Sequence, residues 1–125
     1  AAEGLTFYAQ TDDAGRPLRA NCRYRLRGSP PHARYWTLAA FDSRGTRSQD
    51  RYASSRRLTS EMVVRDVDGD MKIEVSPQLS GGNWLQTAGS DPLVLVLQLY
   101  DTQVTGTRGI VDPQMPAIAL LECIG

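Results

Sequence analysis

Apolar and polar residues alternate along several short stretches of the chain, and a period of two is typical of β-strands with one buried face. The clearest stretch is CRYRLRG (22–28), where cysteine, tyrosine and leucine share one face and three arginines share the other. Two longer stretches, RYWTLAAFD (34–42) and LVLVLQLYD (93–101), carry apolar residues on both faces, so we predict that they are central strands. The strand pattern also occurs in LTFYAQ (5–10), EMVVRDV (61–67), MKIEVSP (71–77) and AIALLECI (117–124).

Turn-forming and polar residues separate these stretches. TDDAGRP (11–17) is a turn by composition, and the prolines of SPPHA (29–33) interrupt a sheet because proline cannot donate a backbone hydrogen bond. Asp-Gly within DGD (68–70) stands between two strand patterns and predicts a β-hairpin. The polar segments 43–57 and 102–116 are predicted to be loops. With about eight strands and no helical period, we predict an all-β fold, an antiparallel β-sandwich with a jelly-roll-like arrangement.

The length of 125 residues fits one domain over residues 1–125. The longest fully apolar stretch, 92–97, is far shorter than the roughly 20 residues that a membrane-spanning helix needs. Because the chain starts at Ala1 rather than at methionine, we expect a mature or trimmed form from which a leader or an amino-terminal membrane anchor has been removed.

Charge is distributed unevenly although the formal net charge is zero. Residues 1–65 contain twelve arginines and six acidic residues, whereas residues 66–125 contain two basic and eight acidic residues. An arginine-rich half can indicate nucleic-acid binding, but no stretch resembles an aromatic-lined RNA-binding sheet or a basic helix. We therefore predict no nucleic-acid partner and expect the two halves to complement each other in space.

The two cysteines, Cys22 and Cys123, lie near opposite ends of the chain. Their spacing excludes a CxxC redox pair and a metal-ligand cluster. They are either two independent buried thiols or one disulfide, and an antiparallel pairing of their strands would bring the start of one to the end of the other. We favour the disulfide, and with it an oxidising compartment.

Catalytic and metal-binding patterns are weak in this sequence. The sole histidine, His32, follows two prolines in a predicted turn, and we expect it to be an exposed bystander rather than a general base. DVDGD (66–70) carries three alternate carboxylates, but it lacks the glycine and glutamate spacing of a twelve-residue calcium loop. We predict no catalytic residue, no metal site and no cofactor, and we leave open whether the protein is an enzyme.

Three arginines on one strand form the first candidate binding site. Arg23, Arg25 and Arg27 recur at a period of two, which places them about 6–7 Å apart on one face of a sheet. Such a row could bind phosphate, sulfate or uronate groups. The alternative, which we favour, is an exposed face whose arginines pair with acids on neighbouring strands.

SGGNWLQ (80–86) contains the second candidate site, at Asn83 and Trp84. A phosphate-binding loop would lead into a helix, whereas this segment leads into another strand pattern. We expect the glycines to form a tight turn, Asn83 to hydrogen-bond within that turn, and Trp84 to cover the edge of the sandwich. A tryptophan that stacks on a ligand is the alternative.

The order of several motifs resembles one protein family. GNWLQ, PLVLVLQLYDT and MPAI are similar to the Asn-Trp-Leu, Leu-Arg-Leu-Tyr and proline-rich closing pattern of the domain of unknown function 1214 family. ARYWTLAAFD and VDGDMKIEVS resemble its early strand and its Asp-Gly hairpin, and the resemblance covers roughly residues 22–123. Gln98 departs from the pattern, because larger members have arginine there, so any role of that arginine is in doubt here.

The resemblance implies a jelly-roll-like β-sandwich, found in longer two-domain proteins or in short bacterial envelope proteins. The short members carry an amino-terminal hydrophobic segment and tend to have cysteines at the positions of Cys22 and Cys123, which implies a periplasmic disulfide. The family has no agreed activity, so the resemblance supplies no catalytic residues.

Three hypotheses of function follow from the sequence. The first is a non-catalytic binding module of the bacterial envelope that recognises an anionic glycan or a lipid headgroup. The second is a hydrolase or accessory domain acting on envelope glycans or lipids, which would require acids such as Asp42, Asp66 or Asp101 to converge in a pocket. The third is a structural piece of a larger assembly.

Overall fold

The computed structural model of the protein describes residues 4–31, 33–42, 57–89, 91–102 and 116–124. Within these ranges the chain forms eight β-strands and no helix. The strands are β1 (Leu5–Ala9), β2 (Cys22–Gly28), β3 (Ala33–Asp42), β4 (Arg57–Thr59), β5 (Met71–Ser76), β6 (Trp84–Gln86), β7 (Leu93–Thr102) and β8 (Ala117–Cys123).

Two four-stranded sheets form the sandwich. The first sheet has the order β1-β7-β3-β4 and the second has the order β6-β5-β2-β8. β3 and β7 lie at the centre of the first sheet, which confirms the prediction made from their apolar faces. The all-β sandwich is also confirmed, with one difference: β6 runs parallel to β5, whereas every other pair of strands is antiparallel.

Inward-facing aliphatic and aromatic side chains of both sheets form one buried core. β2 illustrates the alternation of inward and outward side chains, because Tyr24 and Leu26 are buried while the arginines that alternate with them face outward. β7 contributes every second residue to the core, as a strand with one covered face does. The other large, fully buried side chains are Leu18, Leu38, Met71, Ile73, Val75, Leu85, Leu93, Leu95, Leu97 and Leu99.

The strand prediction for 61–67 is wrong, although the Asp-Gly turn that follows it is present. Asp66 N–H donates to Asp70 O at 2.8 Å and closes that turn, but on the predicted first arm Arg65 alone bridges to the second arm, at Met71. Ser60 explains the difference: its N–H donates to Trp36 O and its Oγ accepts from Trp36 N–H. Residues 60–65 therefore cross from the first sheet to the second instead of extending a strand.

A turn after β1 protects the outer edge of β8. The carboxylate of Asp13 accepts the backbone N–H of Ile118 at 3.1 Å, and Asp13 N–H donates to Ile118 O at 2.9 Å. An unpaired strand edge is a template for pairing with another chain, so these bonds close part of that edge.

The disulfide between Cys22 and Cys123 joins the start of β2 to the end of β8. The two residues are opposite each other in the strand register and are 101 positions apart in the sequence. Asn21 reinforces the junction, since Asn21 O accepts from Ile124 N–H and Asn21 Nδ2 donates to Ile124 O. The disulfide prediction is confirmed.

A second constraint lies at Asp12, a buried carboxylate in the turn between β1 and β2. Its Oδ1 accepts the backbone N–H groups of Ala14 at 2.9 Å and Arg16 at 3.0 Å, and its Oδ2 accepts Arg16 Nε at 3.0 Å. Burial raises the pKa of Asp12, but the hydrogen bonds from Arg16 and Ala14 together lower it more, so the pKa lies below its usual value.

Replacing both cysteines, Cys22→Ser with Cys123→Ser, is expected to lower the free energy of unfolding by up to about 4–5 kcal/mol, because the disulfide closes a long loop. Urea denaturation with and without a reductant measures the change. The reductant should lower the free energy of unfolding of the parent protein and leave that of the double variant unchanged. A double variant as stable as the oxidised parent would contradict the structural role of the bond.

Asp12→Asn is expected to destabilise the protein at neutral pH and to matter less in acid. A lowered pKa in the folded state contributes stability above the unfolded pKa of about 3.9, and that stability is lost as the pH falls through the folded pKa. Thermal unfolding between about pH 7 and about pH 2.5 measures the difference from the parent, which should shrink below about pH 4. Asp70→Asn is the control, because that side chain makes no hydrogen bond within the described ranges. A gap that is constant with pH would refute this account of Asp12.

Candidate functional site

The arginine row lies on the outer face of the second sheet, but its members differ in how tightly they are held. Arg23 is fixed between two neighbouring strands: its Nε is 3.0 Å from Glu74 Oε2 on β5, and its Nη1 is 2.6 Å from Glu122 Oε2 on β8. Hydrogen bonds from Glu74 and then Glu122 raise the pKa of Arg23. Arg23 therefore acts as an ion-pair bridge across three strands.

Arg25 and Arg27 are held only loosely. Arg25 Nη2 is 4.0 Å from Glu74 Oε1, and Arg27 Nη2 is 4.0 Å from Asp68 Oδ2. Their side chains are 50% and 56% exposed, so water screens both pairs strongly. Both guanidinium groups can therefore turn toward a ligand at small cost.

An open groove of about 560 Å³ runs along β5 beside Arg25. Its cationic side chains are Arg25, Arg65 and Lys72, and its carboxylates are Asp66 and Glu74. Lys72 Nζ is 3.4 Å from Asp66 Oδ2, whereas Arg65 makes no ion pair or side-chain hydrogen bond with any part of the chain that is described. The described side chains of the groove thus carry a surplus of one positive charge, and one of its arginines, Arg65, has no ion-pair partner among them.

The wall of the groove facing these charges is apolar. Met62 and Val64 line it, and they are 49% and 72% exposed. Exposed aliphatic side chains next to cations suit a ligand that combines an anionic group with an apolar surface.

Asn83 holds the two walls of the groove together. Its Nδ2 donates to Val64 O and Lys72 O, both at 2.8 Å, and its Oδ1 accepts Val64 N–H at 2.9 Å. The expectation that Asn83 hydrogen-bonds within its own turn is therefore wrong, because the positive φ of Gly82 (77°) aims Asn83 at residues 60–65 instead. Asn83 lines the groove, but all three of these polar positions are already used.

Trp84 is turned away from the groove. Its indole Nε1 donates to Ser76 O at 3.1 Å, and the side chain is half-buried against the edge of the second sheet. The structure thus brings Arg25 and Asn83 together in the groove and places Arg23, Arg27 and Trp84 outside its lining.

Arg65 and Lys72 were not among the residues singled out from the sequence. Both lie close to the Asp-Gly turn, and Arg65 pairs with Met71, the residue before Lys72. Their positions near the turn could have indicated that they lie close together. The orientation of Arg65, however, depends on the crossing of residues 60–65, which the alternation of apolar and polar residues did not reveal.

The acids considered for hydrolysis do not form a described cluster. Asp66 pairs with Lys72 at the rim of the groove, and the side chains of Asp42 and Asp101, like the whole of His32, lie outside the described residues. Within the described ranges no group of three or more metal-binding side chains is present. No helix in those ranges is long and apolar enough to cross a membrane.

Comparison with known proteins gives a family and a fold. The sequence profile of the family described as "Protein of unknown function (DUF1214)" matches residues 3–104. The crystal structure of the VPA0106 protein from Vibrio parahaemolyticus is similar with a TM-score of 0.78 and 17% identity, over 96% of this chain and 31% of that chain. An uncharacterized protein from Burkholderia cenocepacia is similar with a TM-score of 0.65 and 21% identity, over 94% of this chain and 29% of that chain.

These likenesses concern the fold, since both identities are low. The chain spans less than a third of the length of either protein. No curated protein matches the sequence significantly.

Asn83→Ala is expected to lower the free energy of unfolding by about 1–2 kcal/mol and to loosen residues 60–65, because partly exposed hydrogen bonds contribute modestly. Amide hydrogen exchange should become faster at Val64, whose N–H loses its acceptor. Ser80→Ala is the control, because within the described ranges that hydroxyl bonds only to the neighbouring Gly81 O. Unchanged exchange at Val64 in Asn83→Ala would show that the asparagine does not hold the wall.

Proposed function

This chain belongs to the domain of unknown function 1214 family, and we propose for it a function that the family description leaves open: an extracytoplasmic binding module. Its groove holds an anionic group of an envelope glycan or a lipid headgroup. The observation that carries the proposal is a pair of arginines beside an apolar wall: Arg25 has only a long, exposed ion pair, and Arg65 has no ion pair within the described ranges.

The balance of charges supports an anionic ligand. Glu74 is engaged by Arg23, so its contact with Arg25 is long, at 4.0 Å. Lys72 is held by a partly exposed carboxylate, so a ligand anion can compete for it at small cost. Arginine forks and a lysine together suit carboxylate, sulfate or phosphate groups.

The shape of the groove supports a ligand that is part of a larger molecule. The groove is open along its length, so a glycan chain or a lipid headgroup can enter without a rearrangement of the sheets. Met62 and Val64 offer contact to the apolar face of a sugar ring or to the first carbons of an acyl chain.

The disulfide supports the location. A bond between Cys22 and Cys123 persists in an oxidising compartment, which for a bacterial protein is the periplasm or the cell surface. Envelope glycans and lipid headgroups are the anionic polymers and surfaces present there.

Arg25→Gln and Arg65→Gln are each expected to weaken binding about tenfold, because each removes a charge-assisted hydrogen bond. Arg27→Gln is the matched control: it lies on the same strand face, is similarly exposed and has a carboxylate at the same distance, but does not line the groove. It should change affinity by less than about twofold.

Titrations with polygalacturonate and sulfated oligosaccharides, and with phosphatidylglycerol vesicles, distinguish the two sources of the anion. Dextran and phosphatidylcholine vesicles are the uncharged counterparts. The proposal fails if no anionic probe binds better than its neutral counterpart. It also fails if Arg27→Gln is as damaging as Arg25→Gln, since binding would then follow net surface charge rather than the groove.

A further inference from the structure

The outer face of the first sheet, on the opposite side of the sandwich from the arginine row, is uncharged along β1 and β7. The inward residues of these strands belong to the core or pack against it, so the residues that alternate with them point outward. The described outward residues are Thr6, Tyr8, Val94, Val96, Gln98 and Tyr100. None of them carries a charge, although 22% of the chain is charged. Because charged residues normally abound on solvated surfaces, a face without them suits an uncharged partner.

Much of this face is open to solvent. Tyr8 is 66% exposed and Tyr100 is 41% exposed. Thr6 and Gln98, which are opposite each other in the strand register, are exposed as well. On the next strand the face is closed, because Thr37 beside Gln98 is buried. We call the four exposed residues, Thr6, Tyr8, Gln98 and Tyr100, the aromatic platform.

Tyr100 is held in place by its neighbours. Its hydroxyl donates to Gln98 Oε1 at 3.3 Å, and its ring centroid is 5.7 Å from that of Tyr35, at an interplanar angle of 42°. Tyr35 lies opposite Tyr100 in the register of β3 and β7 and is half-buried. A ring that is already fixed loses little conformational freedom when a ligand stacks on it.

Strand geometry sets the distance between the two exposed tyrosines. Tyr8 pairs with Val96, which is four positions before Tyr100 on β7. Residues are about 3.4 Å apart along a strand and strands are about 4.8 Å apart, so the two tyrosine Cα atoms are about 14 Å apart. Thr6 and Gln98 lie between them. The platform is therefore elongated, which suits an extended chain better than a single small molecule.

The chemistry of the platform matches an uncharged sugar polymer. The flat face of a pyranose ring consists of C–H groups and stacks on aromatic rings, and its hydroxyls exchange hydrogen bonds with amide and hydroxyl side chains. A protein docking face, by contrast, has an apolar centre and a polar rim. Here the order is reversed, because the polar Thr6 and Gln98 lie between the two tyrosines.

From this arrangement we infer that the aromatic platform binds an extended, uncharged glycan with flat, β-1,4-linked sugar rings. Tyr8 and Tyr100 stack on two rings of the chain, and Thr6 and Gln98 bond to hydroxyl groups between them. This site does not rest on the proposed function of the groove, because it lies on the other sheet and shares no residue with the groove.

Titration with cellohexaose, followed by backbone amide signals in a proton–nitrogen correlation spectrum, tests the site. The signals of Thr6, Tyr8, Gln98 and Tyr100 should shift, and that of Arg25 in the groove should not. Isomaltohexaose contains the same sugar in a flexible α-1,6-linked chain. It should bind about tenfold more weakly, because it must be ordered before its rings can lie flat on both tyrosines.

Variants identify the contacts. Tyr8→Ala and Tyr100→Ala should each weaken cellohexaose binding about fivefold to tenfold, because each removes one stacking contact. Tyr8→Phe keeps the ring and should bind within about twofold of the parent. Leu121→Ala is the matched control, because it removes a 38% exposed apolar side chain from β8 of the other sheet, and it should leave the affinity unchanged.

The inference is overturned if about 10 mM cellohexaose shifts none of the four platform signals, or if both alanine variants bind as well as the parent. Dilution of the protein without glycan is the remaining check. If the same four signals move with protein concentration and analytical ultracentrifugation shows a dimer, the platform is a contact between copies of the chain and the glycan site is refuted.

Discussion

The position of β2 between β5 and β8 determines most of the outer surface of the second sheet. Because Tyr24 and Leu26 must face the core, the arginines between them are forced onto the opposite face. The register with β5 and β8 then determines which arginine lies close to a carboxylate. Arg23 lies beside Glu122 and reaches Glu74, so its charge is neutralised from both sides. Arg25 is opposite Glu74, whose other oxygen Arg23 already occupies, and it remains available at the groove.

Residues 60–65 form one wall of the groove by crossing between the sheets. Two anchors hold this segment: Ser60 exchanges hydrogen bonds with the backbone of Trp36, and Asn83 grips the backbone of Val64. Without this crossing, the end of the sandwich above Trp36 and the side of β5 would form one open surface. With it, Arg65 lines the groove beside β5.

The alternation of apolar and polar residues predicted the features that depend on a single strand. It failed for the features that depend on contacts between distant segments. The strands 22–28, 34–42 and 93–101, and the central place of the last two, follow from which side chains need burial. In 61–67 the same alternation is misleading, because Met62 and Val64 are apolar yet exposed. The partners of Asn83 lie 11 and 19 positions away, and Glu122 reaches Arg23 from 99 positions away, so no local pattern could reveal them.

The attachment of β8 has a consequence for how the protein acquires its structure. β8 pairs with β2, its edge is capped by Asp13, and its last residue is bonded to Cys22, so all these contacts join it to the first 28 residues. Contacts between such distant parts of a chain form slowly, because a large loop must close first. During synthesis, one edge of β2 is therefore unpaired while the ribosome adds the intervening residues. This edge becomes paired only after residues 117–123 have been synthesised.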